Sequence, residues 1–143
     1  MLYYSIVNGP NLNWLGKRDP KQYGSQDWQM VWDGLTNRFS NKELRYFQSN
    51  IEGEIINYLQ DQEDNQNCLG IIINAGGFSH TSVAIADCIE AMKTPVIAVH
   101  ISNTHSREIE RQRDLVAASS NGSIIGFGVE GYAIALKTLI EAN

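Results

Sequence analysis

Two histidines and three amide or hydroxyl side chains follow the apolar runs of this sequence, and these residue types suit proton transfer and binding of a polar ligand. An imidazole changes its charge near neutral pH, so a pair of histidines offers a general acid or base. Asparagine and serine are also common in turns, and an ordinary set of loop residues is the alternative interpretation. The five residues are Asn11, Asn74, His80, His100 and Ser102.

The polar segment after the first apolar run carries a second set of reactive groups. Residues 16–25 are bounded by glycines and form a longer connection than the roughly 2–6 residues usual in an α/β unit. Long loops beside a ligand site often act as lids that exclude water. A guanidinium held against a phenol stabilises the phenolate, so Arg18 would allow Tyr23 to act as a general base. A disordered surface loop is the alternative.

Three arginines lie close together in a later polar segment, at Arg107, Arg111 and Arg113. Paired N–H groups from one or two of them would clamp a carboxylate. Acidic residues alternate with these arginines, so a solvated surface of mixed charge is an equally good interpretation. His105, in the same segment, is interpreted as a structural or solvent-facing histidine.

The sequence lacks the motifs of several other classes of enzyme. The chain has no P-loop, no glycine-rich dinucleotide fingerprint after the first apolar run and no nucleophile-elbow motif. His80 and His100 have no carboxylate or thiol at a spacing typical of metal ligands, so we predict no metal site. Cys68 and Cys88 are too few for a disulfide framework and are interpreted as thiols in a reducing compartment.

Length and charge narrow the class of protein further. The chain has 143 residues, which predicts a single domain over residues 1–143. Its 16 acidic residues outnumber its 11 lysines and arginines, and the formal charge of −5 argues against a nucleic-acid partner. No apolar run reaches the roughly 20 residues that span a bilayer, and the first residues lack the features of a secretory signal. We therefore expect a cytoplasmic protein with no membrane partner.

Short apolar runs alternate with amphipathic stretches along the chain, which is typical of a parallel sheet with helices on both faces. Two central runs lack polar residues, as expected of parallel strands buried on both sides. Ser49 and Glu52, three residues apart, predict a capping box at the start of the second helix. The predicted strands are residues 2–7, 44–48, 69–73, 95–99 and 123–125. The predicted helices are residues 28–39, 82–92 and 129–142, with one more after residue 49.

Few topologies join such elements through right-handed crossovers, and we predict the strand order 2-1-3-4-5. The carboxyl ends of parallel strands lie along one edge of a sheet, and ligands bind there where the strand order reverses. In this order strands one, three and four are neighbours. The five residues named first are therefore expected to converge on one pocket.

Several short motifs together give the sequence a family resemblance. They are residues 8–13, 18–20 with 23–25, 48–50 with 52–54, Asn74, 79–82 and 100–103. In this order they resemble the motifs of the type II 3-dehydroquinate dehydratases, over nearly the whole chain. The resemblance implies a flavodoxin-like three-layer α/β sandwich and a homododecamer built as a tetramer of trimers. It also implies a cofactor-free anti elimination of water from 3-dehydroquinate, through an enolate, to give 3-dehydroshikimate.

The resemblance also implies roles for individual residues. Tyr23 would remove the proton next to the ketone, with Arg18 holding it ionised. Asn11 would help to stabilise the enolate, and His100 would protonate the departing hydroxyl as the general acid. The implied substrate-binding residues are Asn74, His80, Ile101, Ser102 and Arg111, with Asp87 reaching the site of a neighbouring subunit.

The sequence departs from the family pattern beside the implied site. The family usually has a glutamate at the position of Ala98, where it orients the catalytic histidine. Side chains at 98 and 100 point to the same side of a strand, so this change predicts a less defined tautomer for His100. Residues 112–114 replace the family's usual two histidines and a serine, and Trp14 and Phe78 replace a leucine and a tyrosine.

The leading hypothesis is a 3-dehydroquinate dehydratase, a hydro-lyase of aromatic biosynthesis or of quinate breakdown, since both contain this elimination. The alternative is a catalytically weakened paralogue that binds a related small cyclic acid, and Ala98 motivates it. An FMN carrier or a receiver domain is a weaker hypothesis, because residues 8–10 lack the acidic residues of a receiver.

Overall fold

The computed structural model describes residues 1–143 and contains five strands and six α-helices. Every predicted strand is present, with a shift of one residue at one or both ends. The strands are β1 (Tyr3–Asn8), β2 (Glu43–Gln48), β3 (Cys68–Asn74), β4 (Val96–His100) and β5 (Gly122–Ile125). The helices are α1 (Pro20–Tyr23), α2 (Trp28–Arg38), α3 (Glu52–Asp64), α4 (Val83–Ala91), α5 (Leu115–Ser119) and α6 (Glu130–Ala142).

The strands form one parallel sheet in the order β2-β1-β3-β4-β5, which confirms the predicted order. Asn8, the last residue of β1, lies opposite Gln48 of β2 and Asn74 of β3. The pairing of β4 with β3 extends to Ala98, and His100 follows two residues later. The polar residues at these strand ends therefore share one edge of the sheet.

Helices cover both faces of the sheet, which confirms the three-layer architecture. Side chains alternate between the faces along each strand. Ile72 of β3 packs with residues of α2 and α6, whereas Ile71 and Ile73 pack with residues of α3, α4 and α5. In β4, Val99 faces the first layer and Ala98 the second. Full burial of each large aliphatic side chain contributes about 1.5–3 kcal/mol, so these central strands anchor the fold.

The predicted capping box at the second helix is wrong. α3 has Ile51 as its N-cap, which makes no side-chain cap bond. Ser49 lies two residues before the N-cap. Its hydroxyl accepts a hydrogen bond from the Ile51 backbone N–H at 2.9 Å and donates to the Glu54 carboxylate. The serine therefore closes the turn that leads into the helix, because the backbone is still extended at Ile51.

Buried side chains fix the path of the segment between β1 and α2, which is not a plain polar loop. The segment contains a 3-10 turn at Leu12–Trp14 and the single-turn helix α1. Leu12, Leu15 and Tyr23 are buried in the same cluster as residues of α2 and α6. These three contacts hold the segment against the edge of the sheet where β1 ends.

Two further features concern the helices and the cysteines. None of the helices combines the length and the apolar character needed to cross a membrane. Cys68 and Cys88 form no disulfide, and Cys68 is buried.

Candidate active site

A cleft of about 310 Å³, including its mouth, opens at the edge of the sheet where β3 and β4 end. The cleft combines positive charge with groups that transfer protons. Its charged and titratable residues are Arg18, Tyr23, His80, His100, Arg107 and Arg111.

The hydroxyl of Tyr23 accepts hydrogen bonds from two guanidinium groups. Arg18 Nη2 and Arg107 Nη1 each lie 2.7 Å from this oxygen. The Arg18 guanidinium also lies over the tyrosine ring, 3.7 Å from its centroid. Burial, with the positive charges of Arg111 and Arg107, holds the pKa of Arg18 below its usual range, although Tyr23 opposes this shift. Both charged donors are therefore directed at the single oxygen atom of Tyr23.

The local sequence explains the position of Tyr23. Asp19 caps α1 by accepting a hydrogen bond from the Lys21 backbone N–H at 3.0 Å, and Pro20 occupies the first helical position. The helix ends at Gly24, whose φ of 76° would strain a residue with a side chain. One helical turn thus delivers Tyr23 to the cleft with 8% of its surface exposed.

His100 ends β4 and has a carboxylate partner that we did not predict. The even-numbered side chains of β4 face the layer of α3, α4 and α5. Asp114, the N-cap of α5, places its Oδ2 2.8 Å from Nε2 of His100. The expectation that His100 lacks an orienting carboxylate is therefore wrong. The carboxylate comes from the start of a helix rather than from position 98 of the strand.

Burial makes the pair between His100 and Asp114 more than a surface contact, because only 8% and 11% of the two side chains are exposed. Burial acts to raise the pKa of Asp114. The hydrogen bonds from His100 and from the Ala117 backbone N–H, with the charges of His100 and His80, outweigh it and hold that pKa below its usual range. A charged carboxylate therefore faces the imidazole at neutral pH.

His80 is held by the backbone of the residue before Asp114. Its Nδ1 lies 2.7 Å from the carbonyl oxygen of Arg113. A carbonyl only accepts hydrogen bonds, so Nδ1 carries the proton. The His80 and His100 rings are stacked, with centroids 5.7 Å apart and an angle of 18° between their planes. One short segment, 113–114, therefore fixes both histidines.

Comparison with known proteins identifies the family. Residues 3–140 match the family model described as dehydroquinase class II. The chain belongs to the class II dehydroquinase family. It is 43% identical to the 3-dehydroquinate dehydratase of Halothermothrix orenii over 140 residues, which cover 96% of this chain and 93% of that protein.

Further relatives and a crystal structure agree with this assignment to the class II dehydroquinases. The chain is 45% identical to the 3-dehydroquinate dehydratase of Helicobacter hepaticus over 138 residues, or 95% of this chain and 87% of that protein. The crystal structure of the type II dehydroquinase from Butyrivibrio crossotus superposes with a TM-score of 0.92 at 35% identity, covering 97% of both chains.

Asn74 of this class II dehydroquinase belongs to a buried hydrogen-bond network beneath the cleft. Its Nδ2 donates to the Tyr132 hydroxyl at 2.9 Å, and its Oδ1 accepts from the Gly76 backbone N–H at 3.1 Å. The Tyr132 hydroxyl in turn donates to Asn8 Oδ1 at 2.8 Å. Burial raises the pKa of Tyr132, which keeps it a neutral donor. One N–H and one lone pair of the Asn74 amide remain for a ligand.

The cleft brings together all of the predicted site residues except Asn11 and Asp87. Asn11 is exposed in the turn after β1 and has a left-handed backbone, with φ 68°. Asp87 is exposed on α4, outside the cleft. Its contact with a neighbouring subunit stays a prediction. His105 is also exposed, and no group of three or more histidine, cysteine or acidic residues is placed to hold a metal ion.

Arg107 of the cleft, and Asp114 behind His100, were not predicted in the roles that the geometry indicates. Arg107 was one of three arginines considered for a carboxylate, but it binds Tyr23 and also donates to Ser102 Oγ at 3.3 Å. α5 was not predicted, and Asp114 has no predicted role beyond being one of the acidic residues that alternate with the arginines. No sequence signal indicates that its second oxygen reaches a histidine.

Proposed function

We propose that this class II dehydroquinase eliminates water from 3-dehydroquinate to give 3-dehydroshikimate, in keeping with the activity for which its relatives are named. The proposal rests on one observation. Tyr23, bonded to two guanidinium groups, and His100, bonded to a carboxylate, line the same cleft. An elimination of water needs both a base and an acid, because one proton leaves carbon and another joins the departing hydroxyl.

In the first step the Tyr23 phenolate takes the proton from the carbon beside the ketone. The electron pair of that C–H bond forms the enolate, and negative charge collects on the former ketone oxygen. Asn11 is outside the lining of the cleft but directly precedes Leu12, which lines it, and on the family resemblance we assign Asn11 to the stabilisation of this charge. A preorganised donor of this kind typically contributes about 2.7–4 kcal/mol.

In the second step the enolate electrons form the new C=C bond, and the C–O bond to the hydroxyl breaks. His100 donates a proton to the departing hydroxyl, which leaves as water. General acid catalysis of this kind contributes about 10²–10⁴-fold. Tyr23 then loses the proton it took, and His100 regains one from solvent, so the cycle consumes no cofactor.

The charge of the cleft suits the carboxylate of the substrate. Three arginines line it, although the chain as a whole carries a formal charge of −5. We assign Arg111 and the backbone N–H groups of Ile101 and Ser102 to the substrate carboxylate. Asn74 and His80 are assigned to the ring hydroxyls, through the donors and acceptors that their contacts within the protein leave free.

We also propose that the enzyme is a homododecamer built from trimers and works in the cytoplasm. Val83 is 57% exposed, and Asp87 lies one turn later on the same exposed side of α4. An exposed apolar side chain next to a carboxylate suits a contact between subunits. Unpaired Cys68 and Cys88 suit a reducing compartment. Light scattering of the purified protein tests the assembly.

The alternative function, binding of a cyclic acid without efficient turnover, depends on the alanine at position 98. That alternative assumes that His100 has no carboxylate partner. Because Asp114 bonds the imidazole, no observation in the cleft favours a weakened paralogue.

A direct assay tests the proposed reaction. Purified protein with a chelator present should convert 3-dehydroquinate to the conjugated enone, which absorbs in the ultraviolet. Tyr23→Phe should lower kcat by several orders of magnitude with little change in KM, because the base is lost while the ring remains. Tyr4→Phe is the matched control, since its hydroxyl makes only a long contact of 3.4 Å with Asn143. Ordinary turnover by Tyr23→Phe would exclude Tyr23 as the base.

A further inference from the structure

The carboxylate of Asp114 makes a different contact with each oxygen. Oδ1 accepts a hydrogen bond from the Ala117 backbone N–H at 2.8 Å and so caps α5. Oδ2 lies 2.8 Å from Nε2 of His100. The cap alone does not require aspartate, because serine, threonine and asparagine also serve at this position of a helix. The second contact does require it, because serine is too short and asparagine has only one acceptor oxygen, whereas both ends of the carboxylate accept here.

We propose that Asp114 is a positioning residue for the dehydration, which holds the His100 ring in one tautomer and stabilises its protonated form. This inference rests on the proposed function, in which His100 is the general acid. Asp114 acts only through His100 and is not assigned any contact with the substrate.

The hydrogen bond determines which ring nitrogen serves the reaction. A carboxylate accepts, so Nε2 of His100 carries the proton of the neutral ring. Nδ1 has no hydrogen-bond partner within the protein, and His100 lines the cleft. In the protonated ring, the proton on Nδ1 is the one that passes to the departing hydroxyl. The ring keeps its Nε2–H throughout, and the carboxylate stabilises the imidazolium as in a Ser-His-Asp triad.

The packing of α5 explains why this carboxylate reaches the histidine from a helix. Ala98, on the same face of β4 as His100, is 2% exposed and packs in one cluster with Val116 of α5. A methyl group at position 98 makes no bond to an imidazole. Val116 is itself 1% exposed, so α5 is held firmly against β4. Its N-cap, Asp114, is therefore fixed beside the end of the strand.

The pair of His100 and Asp114 is buried, which distinguishes it from an incidental ion pair on the surface. Exposed ion pairs contribute little, because water screens them and mobile side chains lose entropy. Here both side chains are about nine-tenths buried, and both oxygens of the carboxylate have partners. A buried carboxylate with two fixed partners holds one orientation, which is what an orienting group requires.

Two variants with a matched control test the inference. Asp114→Ser keeps a capping hydroxyl but does not reach His100, and Asp114→Asn keeps the length but places an uncharged amide opposite Nε2. We expect each to lower kcat by about 10²–10⁴-fold with a smaller change in KM. The control is Asp27→Ser, because Asp27 caps α2 by accepting from the Met30 backbone N–H at 2.9 Å and has no histidine bonded to it. This control should leave kcat unchanged.

Two further readouts distinguish positioning from a purely structural role. Loss of the negative partner should move the fall of kcat at high pH to lower pH, because the protonated ring is no longer stabilised. In addition, Ala98→Glu should restore part of kcat in the Asp114→Ser protein, yet give no gain in the parent. The titratable and charged groups that face His100 are Asp114, His80, Tyr23, Arg18, Arg107 and Arg111. The Asp114 variants change only Asp114 among them.

A measurement without turnover separates this inference from the proposed function. Nitrogen NMR of the unliganded protein should show the proton of neutral His100 on Nε2, and Asp114→Ser should lose this preference. If the parent does not dehydrate 3-dehydroquinate, the proposed function fails, and the spectrum still decides the role of Asp114. Unchanged kcat, pH profile and spectrum in folded Asp114→Ser would overturn the inference. If Asp114→Ser does not fold, the same three measurements on Asp114→Asn decide the inference.

Discussion

Tyr23 receives hydrogen bonds from two cationic side chains, and the two arrive from different parts of the chain. Arg18 lies five residues away, whereas Arg107 lies 84 residues away. The local arginine follows from the spacing in the sequence, since both residues belong to the segment around α1. The distant arginine depends on how the chain turns after β4, and three arginines in that segment are equivalent in the sequence pattern alone.

Removal of the distant arginine gives a prediction at the scale of single residues. Arg107→Ala should lower kcat by about 10²–10³-fold, because one charged donor to the phenol oxygen is lost. Added guanidinium salt should restore part of the rate, and steady-state kinetics measures both effects.

Arg113→Ala is the matched control for this prediction. The side chain of Arg113 is exposed, and only its carbonyl oxygen contributes to the cleft. Kinetics close to those of the parent protein are expected. An equal loss in both variants would mean that the effect comes from general charge rather than from the bond to Tyr23.

At the scale of elements, the sequence predicts best what depends on near neighbours. The unbroken apolar character of residues 71–73 predicts a strand buried on both faces, and both faces are indeed covered. The caps were harder to predict. Ser49 resembles a helix cap but closes a turn, whereas Asp114, for which we predicted no cap, caps α5 and also bonds a histidine 14 residues away. The contact between Asp114 and His100 depends on the packing of α5 against β4, which local patterns do not encode.

The turn after β1 gives a prediction about a backbone conformation. Asn11 is the one residue other than glycine with positive φ, and its backbone N–H donates to Asn50 Oδ1 at 3.0 Å. Asn11→Ala should destabilise the protein by about 1 kcal/mol, because a Cβ strains this conformation, whereas Asn11→Gly should not. Urea unfolding measures the difference.

The same two variants also test whether the side chain of Asn11 takes part in catalysis or only supports the turn. Both should lose activity if the amide of Asn11 stabilises the enolate, since neither variant retains it. Full activity in Asn11→Gly would show that the side chain serves only the turn.

At the scale of the whole molecule, buried and half-buried tyrosines make the fold sensitive to alkali. Burial raises the pKa of Tyr46 to about 12, against a small opposing effect of the hydrogen bond from Asn8. Burial likewise raises the pKa of Tyr3, Tyr58 and Tyr132. An unfolded tyrosine ionises near pH 10, so the folded state binds more protons than the unfolded state above that pH. This contribution to stability is complete below about pH 10 and is lost as the pH rises towards 12.

The free energy of unfolding should therefore fall between about pH 10 and 12. Urea denaturation at several pH values measures the slope. Tyr46→Phe should make the fall shallower, because one titrating group is removed while the stacking of an aromatic ring on Trp28 is retained. A slope that is the same in both proteins would contradict this assignment.

Tyr132 joins the end of the chain to its beginning, because its hydroxyl donates to Asn8, 124 residues earlier, and accepts from Asn74. During synthesis, Asn8 Oδ1 and Asn74 Nδ2 therefore lack this partner until α6 has been made. A nascent chain that stops short of α6 lacks the Tyr132 hydroxyl beneath the cleft, so we expect the side chains of Asn8 and Asn74 to become ordered only once α6 is in place.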